Sequence, residues 1–122
     1  SSILAEGCII HASRIANSVI GIRTRIGKES EIESTYIMGS DYYETLPEMA
    51  YSLERGIPKL GIGERCKISH AIVDKDCRIG NDVIISGGAH LPDSDHALFT
   101  VKDGIVVIKK GAILPDGFTI GG

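Results

Sequence analysis

Branched apolar residues recur along this chain about every six residues, and no other feature constrains its fold as strongly. An α-helix repeats near 3.6 residues and a strand repeats at two, so neither element alone explains this spacing. An internal repeat of this kind indicates an architecture built from stacked units. The spaced residues form three runs, which are Ile3, Ile9, Ile15, Ile20, Ile26, Ile32 and Ile37; Ile62, Ile68, Val73, Ile79 and Ile85; and Ile108, Leu114 and Ile120.

Most steps in the series are six residues long, but every third step is five. A short step that recurs in this way predicts a chain wound around a three-sided prism, with one branched residue pointing inward from each side. Short strands on each side would then stack on the coils above and below at roughly 4.8 Å. We therefore expect an all-β fold, a single-stranded parallel β-helix of the hexapeptide-repeat type. The short steps join Ile15 to Ile20, Ile32 to Ile37, and Ile68 to Val73.

The position four residues after a branched residue usually holds a small side chain, as a tight corner requires. Two of the three cysteines, Cys66 and Cys77, occupy this position, where a thiol acts as a small apolar group. No CxxC spacing is present, so neither a disulfide framework nor a zinc site is indicated. The small residues are Gly7, Ser13, Thr24, Ser30, Cys66, Cys77 and Ala112.

The segment 38–61 interrupts the series and contains the signals of one short helix. Thr45 and Glu48 form a capping-box pattern, and Gly56 is a natural helix stop. Four apolar residues have helical spacing, which gives the helix one apolar face. We expect that face to lie against the side of the prism or against a neighbouring domain. Its members are Leu46, Met49, Ala50 and Leu53.

A second interruption covers about 86–107 and contains two histidines and two aspartates within seven residues. The spacing of these residues matches no metal-ligand pattern, and such residues favour turns through local hydrogen bonds. We expect a polar loop here and no metal site. The residues concerned are His90, Asp93, Asp95 and His96.

The length and net charge of the chain limit the classes of protein to which it can belong. A chain of 122 residues is expected to form one domain, 1–122, with a thin continuous core. No segment approaches the roughly 20 apolar residues of a membrane span, and no secretory leader is evident, so a cytoplasmic location is expected. A net charge of −3 argues against binding to nucleic acid, so any anion site must be local.

From about Ser18 to Ile120 the chain resembles the C-terminal domain of ADP-glucose pyrophosphorylase, the glucose-1-phosphate adenylyltransferase of starch and glycogen synthesis. The resemblance is strongest to the plant and cyanobacterial branch, and it implies that the β-helix is left-handed. The general preference for right-handed crossovers would have predicted the opposite hand. The stretches that carry the resemblance are Ser18-Val19-Ile20-Gly21, Met38-Gly39-Ser40-Asp41-Tyr42-Tyr43-Glu44-Thr45, Ile57-Pro58, Gly61-Ile62-Gly63, Ala71-Ile72-Val73-Asp74-Lys75-Asp76-Cys77-Arg78-Ile79-Gly80 and Gly104-Ile105-Val106-Val107-Ile108-Lys109-Lys110.

The resemblance implies a larger parent enzyme whose N-terminal nucleotidyltransferase domain makes ADP-glucose and pyrophosphate from ATP and glucose 1-phosphate with Mg²⁺. That domain is absent from this chain, so the isolated chain is expected to be inactive, with no catalytic residue, cofactor or metal of its own. The resemblance further implies that the β-helix packs against the catalytic domain, contributes to a tetramer and helps to form an allosteric site. The location would be cytoplasmic, or plastid for a plant protein.

The resemblance also implies that two lysines, Lys75 and Lys110, meet an anionic effector. The effector would be 3-phosphoglycerate, inhibitory phosphate or another sugar phosphate such as fructose 1,6-bisphosphate. Lys109 stands where the family usually has an apolar residue. The spacing gives independent support, because Lys75 is two residues past Val73 and Lys110 is two past Ile108. If those apolar residues share a side, the lysines stand on adjacent coils with backbones roughly 5 Å apart, where a phosphate would relieve their repulsion.

The alternative function is enzymatic, either a hexapeptide-repeat acyltransferase or a trimeric γ-type carbonic anhydrase. The first needs a histidine base, and the second needs zinc histidines that converge between subunits. Only His11 and His70 lie within the repeats, and the count of sides places them on different sides of the prism. The candidates are His11, His70, His90 and His96.

Overall fold

The computed structural model describes all residues from Ser1 to Gly122. Seventeen short strands and one helix follow one another along the chain, and nearly every strand contains a branched apolar residue. In chain order they are β1 (Ile3–Leu4), β2 (Ile9–Ile10), β3 (Arg14–Ala16), β4 (Val19–Ile20), β5 (Arg25–Ile26), β6 (Glu31–Glu33), β7 (Tyr36–Ile37), α1 (Leu46–Glu54), β8 (Gly61–Ile62), β9 (Lys67–Ser69), β10 (Ala71–Val73), β11 (Arg78–Ile79), β12 (Ile84–Ser86), β13 (Ser94–Asp95), β14 (Phe99–Lys102), β15 (Ile105–Ile108), β16 (Ile113–Leu114) and β17 (Thr119–Ile120).

The strands form three parallel sheets, which are the three sides of the predicted prism. Side 1 contains β1, β4, β7, β10 and β15 in that order, side 2 contains β2, β5, β8, β11 and β16, and side 3 contains β3, β6, β9, β12 and β17. Each side therefore takes one strand from each successive coil. The prediction of an all-β, three-sided parallel β-helix with one short helix is confirmed.

The branched residues stack in register through the interior of the prism. Most of them are buried, because each lies against the same position of the coil above and below. From Ile15 onward, the short step between inward residues leads from side 3 to side 1. The stacked series are Leu4, Ile20, Ile37, Val73 and Ile108 on side 1; Ile10, Ile26, Ile62, Ile79 and Leu114 on side 2; and Ile15, Ile32, Ile68, Ile85 and Ile120 on side 3.

The inward positions of the first coil are Leu4 and Ile10, so the prediction that Ile3 and Ile9 point inward is wrong. Ile3 pairs with the outward Val19 and is 67% exposed, and Ile9 is 50% exposed. Both strands consist of two adjacent apolar residues, so spacing alone does not identify the inward one. A shift of one residue in register moves every side chain of a strand to the opposite face. Pairing with the next coil therefore decides which of the two apolar residues points inward.

Three residues at equivalent corners adopt left-handed backbone conformations. Asn17, Ser34 and His70 each lie two residues after an inward isoleucine of side 3, with φ of 49°, 48° and 51°. This conformation turns the chain sharply within the five-residue step from side 3 to side 1. Asparagine, serine and histidine accept it at a moderate cost. His70 therefore has the same structural place as Asn17 and Ser34.

The helix begins and ends where the sequence predicted. The N-cap is Thr45, whose backbone N–H donates to Glu48 Oε1 at 2.9 Å, while the N–H of Glu48 donates to Thr45 Oγ1 at 3.2 Å. These two bonds are the predicted capping box. After the C-cap residue Arg55, Gly56 has a φ of 68°, which ends the helix.

The apolar face of α1 does not cover the prism. Leu46 and Leu53 are 80% and 76% exposed, whereas Ser52 is the buried residue of the helix and Met49 is partly buried. The helix itself lies against side 2, one of its two expected positions, but Leu46 and Leu53 remain largely exposed. The helix faces side 2 with the edge that contains Ser52 and Met49.

The second interruption contains regular structure that the sequence analysis did not predict. β13 and β14 are antiparallel, and β14 also pairs antiparallel with β15, so a hairpin extends side 1 beyond the last coil. The ring of His96 stacks on Phe99 with centroids 4.4 Å apart, and Asp93 Oδ1 accepts a hydrogen bond from the N–H of Asp103 at 2.9 Å. The expected polar loop is thus partly an ordered hairpin. No helix in the chain is long and apolar enough to cross a membrane.

Candidate functional site

Lys75 and Lys110 follow paired strands of side 1. Val73 of β10 pairs with Ile108 of β15, which confirms the count of sides. Beyond the strands the two coils remain stacked, because the N–H of Gly111 donates to the carbonyl of Lys75 at 2.9 Å. The structure therefore places the two lysines on adjacent coils at one corner of the prism.

The ammonium group of Lys75 pairs with Asp41, a residue of the first interruption. Lys75 Nζ lies 3.1 Å from Asp41 Oδ1. The hydrogen bond from Lys75 lowers the pKa of Asp41, and the positive charges of Lys75 and Lys110 lower that pKa further. Asp41 is therefore ion-paired with Lys75, and the charge of Lys110 adds a smaller effect on the pKa of Asp41.

Lys110 is exposed and forms no ion pair, whereas its neighbour Lys109 is engaged elsewhere. Lys109 Nζ donates to the carbonyl of His96 at 2.6 Å and to Asp95 Oδ1 at 3.1 Å, so its side chain holds the β13–β14 hairpin. Of the two adjacent lysines, only Lys110 has its ammonium group free to meet a ligand.

Two further aspartates shape the corner, and neither pairs with a lysine side chain. Asp74 Oδ1 accepts a hydrogen bond from the N–H of Lys75 at 2.6 Å, and Asp76 Oδ1 accepts one from the N–H of Asp41 at 2.9 Å. The second bond fixes the backbone that presents the Asp41 carboxylate. An anion that binds Lys75 must compete with a carboxylate held in place on the chain.

A buried ion pair anchors the same interruption to side 2. Glu44 Oε1 accepts a hydrogen bond from the N–H of Leu60 at 2.7 Å, and Glu44 Oε2 lies 2.9 Å from Arg78 Nη1. Burial disfavours the charge on Arg78, but the hydrogen bond and the charge of Glu44 outweigh it, so the pKa of Arg78 is raised. Arg78 also donates to the carbonyl of Pro58 at 3.1 Å.

The sequence pattern does not indicate the roles of Asp41 and Glu44. Both lie in the stretch Asp41-Tyr42-Tyr43-Glu44-Thr45, which contributes to the family resemblance. Their partners, Lys75 and Arg78, are 34 residues further along the chain. A signal existed in the repeats, because Lys75 follows β10 and Arg78 begins β11. These two strands pair with β7 and β8, the strands on either side of the interruption.

The histidines do not converge. His11 follows β2 on side 2 and His70 follows β9 on side 3, as the count of sides predicted. His90 Nε2 lies 3.3 Å from the carbonyl of Gly121, and His96 is stacked on Phe99. No three His, Cys, Asp or Glu side chains are close enough to hold a metal ion.

A comparison with protein-family models identifies the family of the β-helix. The model of the GLGC left-handed parallel beta-helix domain matches residues 1–119. The match covers all the coils and both interruptions, and it agrees with the left-handed winding that the resemblance implied.

Proposed function

Since the chain belongs to the GLGC left-handed parallel β-helix family, the C-terminal domain of ADP-glucose pyrophosphorylase, we propose that it regulates and assembles that enzyme. The chemistry, which joins ATP and glucose 1-phosphate, belongs to the nucleotidyltransferase domain of the parent protein. The β-helix contributes part of an allosteric site and surfaces for the catalytic domain and the sister subunits.

The observation that carries the regulatory proposal is the arrangement of Lys75, Asp41 and Lys110. The two lysines stand on adjacent coils, Lys75 pairs with Asp41, and the ammonium group of Lys110 forms no ion pair. A phosphate carries more charge than a carboxylate and accepts hydrogen bonds on three oxygens, so it can bind both ammonium groups where Asp41 reaches one. The effector is a phosphate or a sugar phosphate, with 3-phosphoglycerate and fructose 1,6-bisphosphate as the two organic candidates.

The competition with Asp41 gives this corner a weak intrinsic affinity for anions. The exposed Lys75–Asp41 pair itself is of the kind that contributes little, so an incoming phosphate can replace it. Additional cations from the catalytic domain would strengthen binding and would make it depend on how the two domains are arranged. This dependence is what an allosteric site at a domain junction requires.

The assembly proposal rests on the outward face of α1. Leu46 and Leu53 lie exposed on a helix that is fixed to side 2. Large apolar side chains that group on an exposed helix face mark a surface that another protein surface covers. The catalytic domain of the same subunit is the proposed partner, and the sister subunits of a tetramer contact the remaining free surfaces.

The regulatory proposal is tested by titrating the chain with phosphate, 3-phosphoglycerate and fructose 1,6-bisphosphate while NMR follows the Nζ and backbone signals of Lys75 and Lys110. Both lysines should shift with the same saturation curve, and Lys75→Ala or Lys110→Ala should weaken binding. Lys102→Ala is the matched control for a paired lysine, because Lys102 pairs with Asp93 at 3.4 Å. Lys28→Ala is the control for an exposed lysine without an ion pair.

The full-length enzyme completes the test. If neither lysine shifts in the isolated chain, Lys75→Ala and Lys110→Ala in the full-length enzyme should still lower its activation by the effector. Unchanged activation in both variants would show that the corner is not an effector site, and the domain would then serve assembly alone.

A further inference from the structure

A cavity of about 250 Å³ lies between the first interruption and side 2. Neither Lys75 nor Lys110 lines it. Its walls combine two kinds of side chain, arginines from the second coil and aromatic or apolar residues from the interruption. The main lining residues are Arg23, Arg25, Tyr42, Tyr43, Met49 and Leu60.

Arg23 and Arg25 differ from the other four arginines of the chain. Each donates its Nε–H only to a backbone carbonyl, Arg23 to Ser40 at 2.9 Å and Arg25 to Leu60 at 3.3 Å. Neither forms an ion pair, and neither lies over an aromatic ring. The other four have such a partner: Arg14 with Glu33, Arg65 with Asp82, Arg78 with Glu44, and Arg55 over the ring of Tyr51.

The charge of the cavity is therefore not balanced within the chain. Its one carboxylate, Glu44, has both oxygens occupied by the N–H of Leu60 and by Arg78. Burial lowers the pKa of Arg25, an effect that Glu44 and Glu64 only partly oppose, so this guanidinium lies where water is restricted. A charge in such a place is stabilised by a counter-ion that binds it directly.

The Nε contacts also orient the two guanidinium groups. With Nε bound to the backbone, the Nη atoms of each group are left to meet a ligand, in the fork geometry that suits phosphate oxygens. Tyr42, Tyr43 and Met49 provide a wall for a carbon skeleton, since aromatic and thioether groups bury flat apolar surface well. The volume limits the ligand to a small molecule.

From these contacts we infer a second anion site, in which Arg23 and Arg25 bind the phosphate of a small phosphomonoester and Tyr42, Tyr43 and Met49 contact its carbon skeleton. The site is separate from the lysine corner, and it lies entirely within this chain. Because its walls come from the second coil and from the segment that contains α1, an occupant would hold that segment against the β-helix.

The test uses the intact chain with phenyl phosphate and inorganic phosphate as probes at constant ionic strength. NMR of the arginine Nε–Hε groups should show saturable shifts at Arg23 and Arg25 and none at Arg14. Phenyl phosphate should bind more tightly than inorganic phosphate, because only its ring reaches the tyrosine wall. Arg23→Gln and Arg25→Gln should each weaken binding of phenyl phosphate by about tenfold or more.

Two control variants separate this site from others. Arg14→Gln removes an exposed arginine outside the cavity and should leave the saturation curves at Arg23 and Arg25 unchanged, as should the double variant Lys75→Ala and Lys110→Ala. Equal shifts at all arginines, or no shift at millimolar phenyl phosphate, would overturn the inference. Loss of the Arg23 and Arg25 shifts in the double lysine variant would overturn it as well, because these shifts would then report binding at the lysine corner. The arginine shifts of the unaltered chain decide the matter even if an arginine variant folds poorly.

Discussion

At the scale of single residues, the chain pairs its candidate effector lysine with its own aspartate. The Asp41 carboxylate lies where a phosphate oxygen would lie, 3.1 Å from Lys75 Nζ. The backbone N–H of Asp41 donates to Asp76 Oδ1, and this bond holds the segment that presents the carboxylate. If an anion binds this corner as proposed, Asp41 competes with it for Lys75.

Replacing Asp41 with asparagine removes the competing charge and keeps the shape of the side chain. Phosphate should bind Asp41→Asn about two- to fivefold more tightly than the unaltered chain, the range expected when one exposed ion pair no longer competes. NMR titration at fixed ionic strength measures the affinity. Asp93→Asn, which removes the partner of Lys102, is the matched control and should have no effect. Equal or weaker binding by Asp41→Asn would show that this carboxylate does not compete with the anion.

Cys77 occupies one of the small-residue corner positions, and its burial there changes the pKa of its thiol. Burial raises its pKa from the ordinary 9.0 to about 11. The unfolded chain therefore loses this proton at a lower pH than the folded chain does. The thiol contributes to stability fully below about pH 9, and the contribution is lost as the pH rises towards 11.

We expect the free energy of unfolding to fall between pH 9 and 11 by up to roughly 2 kcal/mol more in the unaltered chain than in Cys77→Ala. Urea denaturation at a series of pH values measures this difference. Because other groups titrate in the same range, the comparison with Cys8→Ala is essential. That variant should retain the full decrease, and an identical pH profile for all three proteins would contradict the assignment to Cys77.

At the scale of elements, the first interruption is fixed to the prism by two acidic residues. Asp41 attaches it to the side 1 corner, and Glu44 attaches it to side 2 through Arg78. The bond from the N–H of Leu60 to Glu44 joins the two ends of the interruption. Glu44 is the residue before the N-cap Thr45, so its position also sets the direction in which α1 begins. The helix is placed by a buried ion pair rather than by its apolar face.

Glu44→Gln should detach this interruption locally. The side chain of Glu44 is 2% exposed and that of Arg78 is 17% exposed, so removing one charge leaves the other poorly compensated. We expect a loss of about 2–3 kcal/mol, below the usual cost of breaking a fully buried pair, because Arg78 retains its bond to Pro58 and some water. Hydrogen exchange at the N–H of Leu60 measures the effect.

Glu33→Gln, which breaks the exposed pair with Arg14, should cost no more than about 1 kcal/mol. A loss equal to that of this control would contradict the anchoring role.

The outward face of α1 has no role in the fold of the isolated chain. Leu53→Ser should therefore change the free energy of unfolding by no more than about 0.5 kcal/mol. In the full-length enzyme the same substitution should weaken docking of the β-helix, measured by limited proteolysis at the domain junction. Glu54→Gln on the same helix is the control. Unchanged proteolysis of the Leu53 variant would show that this face is not covered by the catalytic domain.

At the scale of the whole molecule, each coil contacts only the coils above and below it. Stability is then approximately a sum over neighbouring coils, and the end coils are the weakest. The residues of side 3 illustrate this gradient, because Ile15 in the first coil is only partly buried whereas Ile32 in the second is fully buried. The hairpin of β13 and β14 covers the far end of side 1 alone.

Replacing stacked isoleucines should therefore have effects that depend on the coil. Ile32→Ala should lower the free energy of unfolding by about 2–5 kcal/mol, as for a large residue in a close-packed core. Ile15→Ala should cost clearly less, and hydrogen exchange should show that its effect is confined to the first coil. Urea denaturation provides the comparison. Equal losses for the two variants would contradict independent stacking of the coils.

The sequence predicted what depends on short-range spacing. The inward residues from Ile15 onward, the capping box at Thr45 and the helix stop at Gly56 could be read from the chain, because each depends on neighbours within a few residues. The stacking of Lys75 above Lys110 also followed, since the repeat converts sequence position into spatial position. These predictions cover the architecture and the location of the candidate site.

What the sequence left undetermined depends on contacts between distant segments. The choice between Ile3 and Leu4 depends on pairing with the second coil. The placement of the segment that precedes α1 depends on the ion pair between Glu44 and Arg78. The β13–β14 hairpin formed because the last strand of side 1 offered an unpaired edge. The sequence by itself determined the repeat and hence the prism. Only the tertiary structure decided register, helix orientation and the partner of each charge, because these are free energies of contact between residues far apart in the chain.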